Sequence, residues 1–512
     1  MSSQEYLSTR SSGTPYLSFE ATVLQGLAPG GGLFIPAAIP KLPSDFATKW
    51  KDLPFQLLAF EIFSLYISPE EIPPADLKEL IERSYATFRE DVVTPLKTLN
   101  EEDKLYLLEL FHGPTYAFKD VALQFVGNLF EYFLKRRNAG RAAADPARER
   151  LTVVGATSGD TGSAAIYGLR NKTDVSIFIL HPLGKVSPIQ ELQMTTVTDK
   201  NVHNFAVKGN FDDCQDIVKT LFDDVEFNTK HHLGAVNSIN WARILAQITY
   251  YFASYFALLK TSGEEAPKVR YVVPTGNFGD ILAGFYAKRM GLPIEKLVVA
   301  TNANDILDRF WRSGVYEKKA LADGGEAVKE TLSPAMDILI SSNFERLLWY
   351  LAREQLAKSN EEAGQILQSW MVELKATGKV TVPEVVLTAG TKEFASESVS
   401  DADTVATIKK IYERTGGYIL DPHTAVGVTA SLRHVDGVHT YISLSTAHPA
   451  KFGDAVDEAL NGTAGYAFAD VLPPAFKALQ GLPKNVTLLE RADKELVKAA
   501  IEKELKEEGI VF

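Results

Sequence analysis

Apolar positions along the chain fall into two alternating patterns. Compact runs at 105–111, 151–154, 175–180, 270–273, 297–300 and 441–444 have the length and continuity of strands buried on both faces. Between most of them the apolar residues recur at helical spacing, as with Ala122, Val126, Leu129, Phe130 and Phe133. The stretches 211–223 and 244–259 also read as helices. Strand, loop and helix in repetition predict an α/β protein with two open, largely parallel sheets, because parallel neighbours need a crossover connection. The first hundred residues instead mix Pro and Gly turns with short amphipathic helices, ending in a predicted helix over 77–91. Two stretches break the rhythm. Residues 138–150, rich in Ala, Arg, Asp and Pro, read as an exposed connection. Residues 303–407 are mostly helical and charged, and read as an elaboration on the core outside the sheets. There is no internal repeat, and the Glu/Lys-rich end 502–508 reads as a solvated helix face.

A length of 512 residues implies two or three packed units, and 46% hydrophobic residues supply ample core. The net charge of −12 disfavours nucleic acid and anionic membrane as partners, so an anionic substrate needs its own local pocket of positive charge. A single cysteine, Cys214, excludes a disulfide within the chain and a multi-cysteine zinc site. Residues 1–16 lack a basic start followed by an apolar core, and no apolar run reaches a membrane-spanning length. The expected address is the cytoplasm, with no metal.

Three loops between strand and helix have the character of a ligand site, which in open parallel sheets lies at the carboxyl ends of strands. The first runs from His112 to Asp120 and carries Lys119, flanked by the apolar Phe118 and Val121. Desolvation lowers a lysine's pKa, which Schiff-base chemistry requires; an exposed lysine at a helix start is the bland alternative. The second, Thr157, Ser158, Gly159, Asp160, Thr161 and Gly162, has small residues that let backbone N–H groups approach a ligand; a tight glycine turn reads equally well. The third, Pro274 to Asp280, offers glycines for a phosphate cradle but matches neither a Walker loop nor the dinucleotide fingerprint. Arg243 suits a phosphate or carboxylate clamp, or a structural ion pair. His112 and His423 read as structural or capping residues.

Taken together the segments resemble the threonine synthases, in the same chain order and over nearly the whole chain. The resemblance rests on 112–120, 157–162, 237–243 and 274–280, with 29–36, 421–425 and 445–452 beside them. It implies a fold-type II pyridoxal-phosphate enzyme related to tryptophan synthase β, divided into an N-terminal domain (1–95), a large cofactor-binding domain (96–150 and 206–512) and a small domain (151–205). The implied cofactor is pyridoxal 5'-phosphate, bonded covalently to Lys119, the catalytic residue. Gly276, Asn277, Phe278, Gly279 and Asp280 would hold its phosphate and Thr446 its ring nitrogen, with Ser445 as the rival for that position. Thr157, Ser158, Gly159, Asp160, Asn240 and Arg243 would contact the substrate, O-phospho-L-homoserine, which with water becomes L-threonine and phosphate. The implied assembly is a monomer or homodimer. A serine/threonine dehydratase or phospho-amino-acid lyase of the same fold type, or a binding protein without turnover, would share part of this pattern.

Overall fold

The computed structural model describes residues 4–10, 15–143, 145–318 and 328–510. Strand β1 (Leu105–Glu109) leads into helix α1 (Lys119–Arg137), and β2 (Leu151–Ala156) into α2 (Asp160–Leu169). Helix α3 (Trp241–Ser262) precedes β3 (Val269–Pro274) and α4 (Gly279–Met290). Later come α5 (Pro422–His434) and β4 (Thr440–Ser445).

Two open sheets carry these elements. The first has the order Phe394–Ser398, Ile294–Thr301, β3, β4, β1, Leu96–Asn100, and only the last strand is antiparallel to its neighbour. The second, entirely parallel, has the order Thr487–Leu489, Val202–Val207, Val175–Pro182, β2, Leu233–Gly234. All residues of β1 are buried, as an interior strand of a sheet covered on both faces must be. Each of the six strands read from apolar runs forms. Cys214 lies buried in the helix Phe211–Asp223, in the core beneath the second sheet.

Four expectations change. Within 303–407, Phe394–Ser398 joins the first sheet as an edge strand parallel to Ile294–Thr301. Its polar Ser396, Glu397 and Ser398 hide the strand signal, as edge positions allow. Residues 319–327 of that stretch lie outside the described residues. The second sheet is wider than 151–205, because short strands at Leu233–Gly234 and Thr487–Leu489 supply its edges. The helix expected over 77–91 spans Pro74–Tyr85. Beyond it, Arg89 braces the loop after β1: its backbone N–H donates to the His112 carbonyl (3.0 Å), and its guanidinium stacks 3.6 Å over Tyr116. The C-terminal end is only partly a solvated face. Helix Lys494–Glu507 buries Val497, Ile501 and Leu505, and the neighbouring Glu508 accepts a hydrogen bond from Ser176 (2.7 Å).

In the N-terminal region the helix Pro74–Tyr85 packs against α1 and the helix Phe55–Phe63 against α3. Tyr6 and Tyr66 surround Trp241 at ring-centroid distances of 5.8 and 5.7 Å, with Tyr286 on a further side at 5.0 Å. The buried Arg346 guanidinium ties the same region down, donating to the carbonyls of Phe34 (2.9 Å) and Ile239 (2.6 Å).

Helices α1 and α2 meet backbone to backbone. A Cβ built on Gly127 would overlap the Gly168 carbonyl oxygen, and one on Gly168 would sit 2.5 Å from the Leu123 carbonyl oxygen. No side chain fits between them. Gly127→Val is expected to destabilise the protein by about 1–3 kcal/mol, the usual cost of overpacking a filled core. The midpoint of urea unfolding reads that cost, and an unchanged midpoint would show that the helices separate freely.

Candidate active site

Three loops converge on one cavity of about 280 Å³, lined by residues from all three. Pairing of β1 with β4 sets the first in place. Ser445 lies opposite Glu109, the Leu110 N–H donates to the Ser445 carbonyl (2.9 Å), and the Phe118 N–H donates to the Thr446 carbonyl (2.8 Å). Lys119 and Thr446 thereby enter the cavity from adjacent strand ends. Asp120 staples the loop to the start of α1, accepting hydrogen bonds from the Thr115 N–H (2.7 Å) and hydroxyl (2.8 Å). Burial pushes its carboxyl up to about 6.

Lys119, 8% exposed, faces Asp160, with Nζ 3.5 Å from Oδ2. The other carboxylate oxygen of Asp160 meets the buried Lys451, with Nζ 2.9 Å from Oδ1, and accepts from Gln190 Nε2 (2.8 Å). Burial drives the Lys119 ammonium below its ordinary pKa; Asp160 opposes this, while Lys451 and Arg243 act with burial. For Asp160, burial opposes ionisation, but Lys451 and Lys119 outweigh it and hold the carboxyl well below the usual range. The site therefore combines an anion that stays charged with a lysine biased toward its neutral, nucleophilic form.

The second loop turns on Thr157, whose Oγ1 accepts from the N–H groups of Gly159 (2.9 Å) and Gly162 (2.8 Å). Gly159 has φ +139°, which a side chain would strain, and it serves the turn without lining the cavity; Thr157, Ser158 and Asp160 line it.

In the third loop, Gly276, Asn277, Phe278, Gly279 and Asp280 all line the cavity at the N-terminus of α4. Phe278 adopts a left-handed φ of +63°, and its ring packs into the core against Phe344 (5.1 Å) and Phe394 (5.9 Å). Ser341 Oγ donates to the Gly276 carbonyl (2.6 Å), and the Asn343 N–H to that of Asn277 (3.0 Å), so the loop is held from behind. Asp280 accepts from the hydroxyls of Tyr250 and Tyr251, while its Oδ2 is buried without a partner among the described residues. Burial pushes this carboxyl up to about 7.

Arg243 lies on the cavity wall. Its Nη1 donates to the Val236 carbonyl (3.1 Å), its Nε is buried without a partner among the described residues, and burial lowers its pKa to about 10. A buried guanidinium with a donor to spare in a pocket suits an anion. Thr446 lines the cavity, whereas Ser445 turns away toward Thr424 Oγ1 (3.2 Å).

Asn240, expected on the substrate side, is not among the residues lining the cavity. As N-cap of α3, its Oδ1 accepts from the Ala242 N–H (3.0 Å), and its Nδ2 donates to the Val23 carbonyl (2.9 Å). These bonds tie its side chain to the first helical turn and to the N-terminal region, and Asn237 and Ser238 line the cavity. An asparagine directly before a helical run carries that capping signal in sequence. Two other contributions were missed. Lys451 lies within 445–452, where only Thr446 was assigned a role. The turn Pro334–Met336, with Asp337 and Ile338, closes one side of the cavity from within the helical elaboration, and no sequence signal marks it. His423 anchors that turn: Nδ1 faces Asp421 Oδ1 (2.9 Å), and Nε2 accepts from the Ala335 N–H (3.1 Å).

The residues fit pyridoxal 5'-phosphate. A depressed lysine sits inside the cavity, a helix N-terminus and its glycine loop offer backbone donors to a phosphate, and Gly276 has no room for a Cβ, which would come within 2.9 Å of the Ala335 carbonyl oxygen. No group of residues arranged to hold a metal ion occurs among the described residues, and no helix among them is long and apolar enough to cross a membrane.

Comparison with known proteins agrees along the whole chain. The family model of pyridoxal-phosphate-dependent enzymes matches residues 89–439, those of the threonine synthase N terminus residues 5–85 and the threonine synthase C-terminal region residues 424–501. The threonine synthase of Saccharomyces cerevisiae is 60% identical over 98% of both chains. The crystal structure of threonine synthase from yeast superposes with a TM-score of 0.93 at 60% identity, covering 99% of each chain. The PLP-bound threonine synthase of Brucella melitensis gives a TM-score of 0.87 at 40% identity, over 98% of this chain and 99% of that one. The chain belongs to the threonine synthases, within the pyridoxal-phosphate-dependent enzymes of fold type II.

Proposed function

We propose that the cavity converts O-phospho-L-homoserine and water into L-threonine and inorganic phosphate in the cytoplasm. The observation that carries this reading is the placement of Lys119, Asp160 and Arg243 in one cavity with the glycine loop of α4, in a chain of this family. The reaction breaks the bond between the γ-carbon and the phosphate oxygen. It adds a hydroxyl at the β-carbon and leaves a methyl group at the γ-position.

When bound, pyridoxal 5'-phosphate supplies an electron sink for the carbanions this reaction requires. The remaining work belongs to the chain. Lys119 holds the cofactor covalently through Nζ. As a free amine the same nitrogen would take the α-proton and carry protons among neighbouring carbons, as its depressed pKa favours. Gly276, Asn277, Phe278, Gly279 and Asp280 hold the cofactor phosphate with backbone donors at the start of α4. The Thr446 hydroxyl serves the ring nitrogen; Asp421 and Thr424 fix its position, since Thr424 donates to Asp421 and its Oγ1 accepts from the Thr446 N–H (3.2 Å). Thr157, Ser158 and Asp160 contact the substrate side, and Arg243 binds a substrate anion. The second sheet, built around 151–205 with its two added edges, forms a smaller unit against the larger one, and the assembly is a monomer or homodimer.

Purified protein supplied with O-phospho-L-homoserine is expected to release threonine and phosphate in equal amounts. A keto acid in place of threonine would make it a dehydratase or phospho-lyase.

Lys119→Ala is expected to abolish turnover together with the yellow colour of the cofactor-loaded protein. Borohydride reduction followed by peptide mapping that puts the label on another lysine would overturn the assignment.

Arg243→Lys keeps the charge but loses the planar fork. It is expected to raise KM about 10- to 100-fold, the worth of one or two charged hydrogen bonds, with a smaller change in kcat. An unchanged KM would place the anion elsewhere.

A further inference from the structure

Lys451 has no part in the reading above, yet it is among the most deeply buried cations in the structure, 1% exposed. Its Nζ donates to the Thr115 carbonyl (2.8 Å) and lies 2.9 Å from Asp160 Oδ1. Asp160 thus stands between two lysines, with Lys119 on one oxygen and Lys451 on the other. The two lysines differ in tether. Lys451 is fixed by a carbonyl as well as the carboxylate and lies outside the cavity lining, whereas Lys119 lines the cavity, meets Asp160 at the longer 3.5 Å and otherwise has the Phe118 ring at 5.0 Å.

A buried carboxylate with one lysine partner would hold that lysine protonated, because loss of the proton would strand an unpaired charge away from water. With Lys451 in place Asp160 already has a counter-ion, so Lys119 can become neutral without stranding it. We infer that Lys451 is a positioning residue: it is the permanent counter-ion of Asp160 and frees Lys119 to act as an uncharged amine. The inference rests on the assignment of Lys119 as the cofactor lysine. Other charged groups face the trio. Arg243 acts on Lys119 in the same sense as Lys451, and Asp280 is a more distant acid; Asp120 feels the Lys451 charge, and His423 acts on Asp160. None of these four makes a direct ion pair with Asp160, so none replaces Lys451.

The test measures the pKa of Lys119 directly. Full-length apoprotein is labelled with acetic anhydride across a pH series, and the rate at the peptide carrying Lys119 is read by mass spectrometry. In Lys451→Met the midpoint of that profile is expected to rise by about one pH unit, a tenfold loss of labelling at pH values below it. In Asp160→Asn the same Lys451→Met substitution is expected to move the midpoint clearly less, because only the direct repulsion between the two lysines is then lost and no carboxylate remains to trap Lys119. Lost packing would not produce that dependence on the carboxylate. An unmoved midpoint in folded Lys451→Met, or an equal shift in both backgrounds, overturns the inference. If Lys451→Met does not fold, Lys451→Gln carries the same comparison. Protection of Lys119 from acetylation by added pyridoxal 5'-phosphate tests the underlying assignment separately. Without such protection the cofactor-lysine reading fails, whatever the pH profile.

Discussion

Contact between α1 and α2 through Gly127 and Gly168 constrains the rest of the active site. Each glycine lies eight residues past the first residue of its helix, so Lys119 and Asp160 stand at the same distance, about 12 Å, from the point where the backbones touch. One helix comes from the first sheet and the other from the second. Their close approach therefore fixes the two sheets against each other and sets the lysine opposite its carboxylate. A side chain at either glycine would move one half of the site relative to the other.

Around that fixed pair the electrostatics run opposite to the protein as a whole. The chain carries a net charge of −12, yet Lys119 and Lys451 meet the buried carboxylate of Asp160, and the buried Arg243 lies on the same cavity wall. Burial makes each of these charges matter more, because fewer waters screen them. A substrate with a phosphate and a carboxylate meets cations there that the surface does not advertise. Asp280 is held by two tyrosine hydroxyls with its carboxyl raised to about 7, so the loop built for a phosphate opposes it with less negative charge than an ordinary carboxylate would carry at neutral pH.

The site also draws on distant parts of the chain. The N-terminal region holds Asn240 through the Val23 carbonyl, and Arg346 ties the Ile239 carbonyl to that of Phe34. The segment that starts α3, and with it Arg243, is thus positioned by residues more than two hundred positions earlier. The turn Pro334–Met336 is held in turn by His423, whose ring is oriented by Asp421. Asp421 reaches Thr446 as well, through Thr424. One carboxylate thereby aligns the cavity wall and the residue proposed for the ring nitrogen.

Much of this was legible in the sequence, for a definite reason. Strands buried on both faces must be continuously apolar, so the six central strands and their α/β order could be read directly. Loops that bring backbone close to a ligand need small residues at fixed offsets, so 112–120, 157–162 and 274–280 stood out. Tertiary structure decided what depends on partners far along the chain. Short or polar edge strands such as Phe394–Ser398, Leu233–Gly234 and Thr487–Leu489 pair by virtue of a neighbour's open edge, and their own residues barely signal it. Asn240 carries a capping signal, but that Asn237 rather than Asn240 lines the cavity follows from where α3 begins. Lys451 acquires its role only because β4 and the start of α2 bring it against Asp160, a contact between residues nearly three hundred positions apart.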